Sequence, residues 1–145
     1  MKPTLFLRIA SILALIFCAA HTIGGVLSKP APGSKQAFIV QFMKANSFDA
    51  MGHIRTYWDF NLGYGLLISV VLFIHSLLFW QLATLLKTDD GMRLRPVLAL
   101  LFLEFALQAP IAEHYFFLGP CIISLLIAAC LAGAFITIRS DFAPA

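Results

Sequence analysis

The sequence predicts an all-α, integral-membrane four-helix bundle with a short amphipathic interfacial helix in its first loop. Three observations carry that prediction. The chain of 145 residues is 61 % hydrophobic and only 12 % charged, whereas a soluble domain carries about 25 % charge. Its apolar residues gather in four runs, at about 5–27, 60–86, 96–114 and 120–138. Each reaches or nearly reaches the roughly 20 residues that a helix needs to cross a hydrocarbon core about 30 Å thick. Four spans use most of the length, so 1–145 reads as a single transmembrane domain.

The first run follows Lys2 and Arg8, a basic start that also suits a signal peptide. It continues past Ala20 to Leu27, longer than a signal core, which favours a retained span. Ser11, Ala14, Cys18, His21 and Gly25 alternate at spacings of three and four, making one narrow seam of small or polar side chains. Lipid is as apolar as leucine, so close approach at such seams is what holds spans together.

The loop after span one is the longest, from Ser28 to about Asp59. Pro30-Ala31-Pro32-Gly33-Ser34 marks a turn or linker. Phe38, Ile39, Phe42 and Met43 then fall on one face of a helix over about 35–46, with Lys35, Gln41 and Lys44 elsewhere. Such a helix suits a membrane interface. A second short helical piece is expected through Phe48-Asp49-Ala50-Met51-Gly52-His53 into span two.

Span two carries Asn61, Gly65 and Ser69 at spacing four, with Ser76 further along. A polar turn from Lys87 to Arg95 leads to span three, and a short loop, Glu113 to Gly119, leads to span four. Pro96 and Pro120 stand in the first turns of those helices, where a missing N–H is harmless. Span four has its own small-residue stripe, Cys121, Ser124, Ala128 and Ala132. Four spans put both termini and the second loop on one side. That side holds six basic residues (Lys2, Arg8, Lys87, Arg93, Arg95, Arg139) against four in the first loop, so it is read as cytoplasmic.

A net charge of +3 with no block of like charge argues against a nucleic-acid partner and for membrane lipids as neighbours. Cys18, Cys121 and Cys130 are odd in number, lie inside apolar runs and read as packing residues. The four histidines sit on separate segments without metal-ligand spacing, so no metal is expected. There is no phosphate loop or nucleophile elbow, and no cofactor is implied.

Polar side chains inside a span are expensive, and each needs a reason. Glu104 and Gln108 lie one turn apart on span three, Glu104 near mid-membrane. An ionised carboxylate in hydrocarbon costs several kcal/mol, so Glu104 should pair with a cation or carry a proton. His21 or His75 is the candidate partner, although no acid lies one turn from His75, which otherwise reads as a packing histidine. Arg55 and Asp59 stand at helical spacing and suit a rim ion pair, and Tyr57 and Trp58 suit the aromatic belt. His21, Trp58, Asp59, Asn61, Glu104 and Gln108 are the candidates for a ligand pocket opening toward the outer leaflet.

Two stretches carry a resemblance. Ala20-His21-Thr22-Ile23-Gly24-Gly25, then Arg55-Thr56-Tyr57-Trp58-Asp59-Phe60-Asn61-Leu62-Gly63-Tyr64-Gly65, resemble a family of small bacterial four-span membrane proteins of unknown function. The likeness covers essentially the whole chain and implies a bacterial inner membrane but no activity. The expectation is a protein that binds a hydrophobic small molecule or lipid, or serves as a structural or accessory subunit. The alternative is a membrane-embedded enzyme using Glu104 or Asp59 with His21 for acid/base chemistry on a lipid-like substrate. A proton-coupled carrier or channel subunit is the third reading. It requires homo-oligomerisation, since broken helices and repeats are absent from the pattern.

Overall fold

The computed structural model describes residues 2–87 and 91–141, apart from the side chains of 139–141. Thr88, Asp89 and Asp90 of the second loop and the side chain of Arg139 lie outside the described residues. The elements are α1 (Pro3–Ala20), α2 (Lys35–Ala45), β1 (Ser47–Ala50), β2 (His53–Thr56), α3 (Tyr57–Leu85), α4 (Arg95–Tyr115) and α5 (Leu118–Asp141). A π-wound stretch, His21–Val26, extends α1, and a 3-10 turn, Gly91–Leu94, leads into α4. Among the described residues, four helical stretches of 21 to 29 residues are long and apolar enough to cross a bilayer. At about 1.5 Å per residue they measure roughly 31 to 44 Å. The described residues are thus all-α apart from one hairpin, with the spans of a multi-pass membrane protein.

The chain divides into two compact units: Met1–Phe17 with Leu72–Ala145, and Cys18–Val71. The first is a four-helix bundle, built from the start of α1, the second half of α3, α4 and α5. Phe79, Phe105, Leu7, Leu98, Ile127, Leu131 and Ile138 are fully buried in its core. Ala10, Ala14, Ala83 and Ala134 are equally buried and let the backbones approach. Gly133 is closely packed as well, since an added Cβ there would lie 2.7 Å from the Phe6 ring. Ser11 donates its Oγ–H to the Ser76 carbonyl at 2.7 Å, tying α1 to α3. Arg8 stacks over Trp80 at 3.4 Å and donates to Thr84 Oγ1 at 3.1 Å, while Arg95 sits over the Phe135 ring at 4.1 Å. The aromatic faces thereby shelter two charges of the basic end. α4 runs through Pro110 to Tyr115 and α5 begins at Leu118, so the third loop is only Phe116-Phe117.

The second unit holds the end of α1, α2, the hairpin and the first half of α3. His21 Nε2–H donates to the Gly65 carbonyl at 3.0 Å. Cys18 Sγ donates to the Ser69 carbonyl at 3.3 Å, and Thr22 Oγ1 donates to Ser69 Oγ at 2.8 Å. Gly65 permits this approach: a Cβ there would stand 2.9 Å from Val26 Cγ2. The π winding is marked by the Leu27 N–H reaching back five residues to the Thr22 carbonyl at 2.8 Å.

α2 starts where Ser34 caps it, accepting the Ala37 N–H at 3.1 Å. No residue of α2 is buried, and its Phe38, Ile39 and Phe42 are 68 %, 54 % and 59 % exposed. The stretch expected to be a second short helix is instead a hairpin. Ser47 pairs with Thr56 and Ala50 with His53 in an antiparallel ladder closed by Met51 and Gly52. Both turn residues take the left-handed region, with φ of 54° and 85°, as a two-residue turn between right-twisted strands requires. Asp49 Oδ1 holds the turn by accepting the Gly52 N–H at 2.6 Å. Helix propensity of Asp49-Ala50-Met51 loses to this turn chemistry, because glycine at 52 takes the left-handed conformation without strain.

Candidate functional site

The six residues expected to form a pocket divide between the units. Glu104 and Gln108 belong to the first, and His21, Trp58, Asp59 and Asn61 to the second.

In the first unit α4 presents Glu104 and Gln108 on one face, one turn apart. Gln108 Nε2–H donates to Glu104 Oε1 at 3.2 Å. His75 of α3 brings Nε2 to 3.1 Å from Glu104 Oε2. His75, expected to be a packing histidine, is therefore a carboxylate partner. The acid comes from the neighbouring helix, not from a turn away on its own. Phe105 meets the imidazole edge-on at 5.3 Å, and Phe79 lies at 5.8 Å, so the ring has little freedom to turn. The His75 side chain is 12 % exposed, and its Nδ1 is buried without a hydrogen-bond partner among the described residues. The Glu104 side chain is 37 % exposed. A carboxyl is thus fixed from two sides and open on a third, within a helix whose surroundings are apolar.

In the second unit His21 is committed to the Gly65 carbonyl, and this fixes its tautomer: Nε2 carries the proton, because a carbonyl only accepts. That contact clamps two helices. Trp58 is half-buried, with the Lys44 ammonium 5.0 Å from its ring centroid. Asn61 is exposed on the first turns of α3.

Asp59 does not form the expected helical ion pair with Arg55. Arg55 lies on β2, donates Nη1–H to the Ile54 carbonyl at 2.9 Å, and has no carboxylate within ion-pair distance among the described residues. Asp59 instead closes a capping box at the start of α3. Its Oδ2 accepts from the Thr56 N–H at 2.8 Å and from Thr56 Oγ1–H at 2.9 Å, while Thr56 Oγ1 accepts the Asp59 N–H at 3.1 Å. Asp59→Ala is expected to loosen the first turn of α3, because the Thr56 N–H loses its acceptor. Hydrogen exchange at residues 57–60 is the measurement, and protection equal to that of the unchanged chain would count against the cap.

The same turns of α3 line a groove of about 430 Å³ beneath the hairpin. The hairpin contributes Ala50, His53 and Arg55 to its lining, and the first turn of α3 contributes Asp59. Phe60, Gly63, Tyr64 and Leu67 continue it along the helix. Gly63 has no packing reason to be glycine: a Cβ there would meet nothing within 4 Å, and its φ is not positive. In a helix interior such a residue costs roughly 1 kcal/mol relative to alanine. His53, Arg55 and Tyr64 were not among the expected pocket residues. The signal was the stripe Asp59, Gly63, Leu67 and its companion Phe60, Tyr64, spaced by four on one helix face.

Among the described residues no three His, Cys, Asp or Glu side chains converge as a metal site. No family model matches the chain, and neither a curated protein nor a solved structure matches it.

Proposed function

We propose that this chain is a small multi-pass protein of a bacterial inner membrane that binds a hydrophobic small molecule from the lipid phase through Glu104. The supporting observation is the carboxyl held by His75 at 3.1 Å and Gln108 at 3.2 Å, yet 37 % exposed. Acyl chains offer no hydrogen-bonding group to its open side, in either protonation state. A ligand with an apolar body and one polar group satisfies that side, while His75 and Gln108 hold the carboxyl in position before binding. The termini are assigned to the cytoplasm from the six basic residues on their side.

Glu104→Gln preserves the shape of the side chain and replaces its carboxyl with an amide. The expected result is a loss of about tenfold or more in ligand retained through purification, the size of one charge-assisted hydrogen bond. Native mass spectrometry of the protein extracted from its membrane reads this. The same ligand retained at the same level by Glu104→Gln refutes the reading.

A second reading, acid–base chemistry on a lipid-like substrate, is favoured by the approach of His75 Nε2 to Glu104 Oε2. His75 then takes the part first given to His21. Incubation with membrane lipid extract should produce a new species that neither Glu104→Gln nor His75→Ala generates.

A further inference from the structure

The groove on α3 has a chemistry of its own, separate from Glu104. Its ionisable groups are His53 and Arg55 from β2 and Asp59 from the first turn of α3, and Phe60, Gly63, Tyr64 and Leu67 follow along the helix. From Asp59 to Leu67 is eight residues, or about 12 Å along the helix. Tyr57 and Trp58, in the adjoining first turn, are the residue types that mark the level of lipid headgroups. A polar end at headgroup level joined to an apolar track of that length matches an amphiphile lying along the helix.

The charges narrow the choice. Arg55 uses Nη1 on the Ile54 carbonyl, and its Nη2 and Nε are without hydrogen bonds among the described residues. That edge of the guanidinium is a two-pronged donor suited to a phosphate. Asp59 uses Oδ2 in its capping box and leaves Oδ1 open among the described residues. One fixed cation and one fixed anion sum to zero. A purely anionic headgroup would meet repulsion from Asp59, whereas a headgroup with both a phosphate and an ammonium is matched at both ends. Gly63 supplies the remaining observation. Its bare backbone opens on empty space, while Gly65 two residues later is filled by Val26. The glycine leaves a notch in the wall where a chain can lie.

We propose that this groove binds one phospholipid with a zwitterionic, amine-bearing headgroup. The phosphate sits on Arg55 with His53 beside it, the amine on Asp59, and one acyl chain along Gly63 between Phe60, Tyr64 and Leu67.

The test uses the whole protein in detergent, exposed to mixed micelles of phosphatidylethanolamine and phosphatidylglycerol, with retained lipid read by native mass spectrometry. The unchanged chain should retain phosphatidylethanolamine over phosphatidylglycerol by about tenfold. Arg55→Gln should lower that retention about tenfold, since it removes the phosphate donor. Gly63→Leu should abolish retention of both lipids, with helix content by circular dichroism unchanged because a Cβ there meets nothing within 4 Å and leucine is a better helix former than glycine. Glu104→Gln should leave this retention as it is, which separates the outcome from that of the Glu104 ligand. Equal retention of the two lipids by the unchanged chain overturns the proposal. So does retention in Arg55→Gln and Gly63→Leu at the original level. Binding of free phosphoethanolamine as tightly as of the whole lipid overturns the acyl-chain part and leaves a headgroup-only site.

Discussion

Gly65→Leu is expected to destabilise the second unit by roughly 2–6 kcal/mol. Overpacking a close helix contact costs about 1–3 kcal/mol. A Cβ alone would already stand 2.9 Å from Val26 Cγ2, and valine has little rotamer freedom with which to give way. The end of α1 must then move off α3, and the His21 bond to the Gly65 carbonyl at 3.0 Å goes with it. An N–H left without an acceptor in an apolar setting adds about 1–3 kcal/mol. Thermal unfolding in detergent reads the loss. Val26→Ala in the same chain should restore a large part of it, because the clash is with that one methyl. A Gly65→Leu protein melting with the unchanged chain would mean that the seam is not close-packed.

The second large effect is non-additive. His75→Leu strands the Glu104 carboxyl with Gln108 alone, and Glu104→Leu strands His75 Nε2–H beneath Phe105. Each single change is expected to cost about 1–3 kcal/mol, with His75→Leu the worse because it leaves the ionisable oxygen unpaired. His75→Leu with Glu104→Leu should return to within about 1 kcal/mol of the original, since two apolar groups of similar size leave no orphan. Ligand retention separates this from function: the double change recovers stability and still fails to hold the Glu104 ligand. If the two single losses simply add, the 3.1 Å approach contributes no coupling energy.

The four spans were legible because length and apolarity alone decide them. Pro96 was read correctly as a first-turn residue of α4, and the small-residue seam of span one meets α3 through Ser11. The hairpin was not legible. Strands of four residues are too short to show a period of two, and Met51 in the left-handed region departs from residue preference. A recognisable Asn-Gly at the turn would have announced it. The His75–Glu104 pair was legible only as a choice between two histidines. Residues 29 positions apart on different helices meet according to how each helix is rotated about its axis, and spacing within one helix does not specify that rotation. The groove was half-visible: Asp59 was named for its charge, whereas Arg55 was assigned to pair with it because both were placed on one helix. With Arg55 on a strand, the two charges are free to serve opposite ends of something else.

The bare apolar face of α2 has a practical consequence. Phe38, Ile39 and Phe42 are left more than half exposed by the described residues. A surfactant belt sized only to the hydrocarbon thickness of the spans would leave these rings in water, and particles would then adhere through them. Preparations in a thin-belted surfactant should therefore run as aggregates on gel filtration, whereas Phe38→Ser with Phe42→Ser should run as single particles in the same medium.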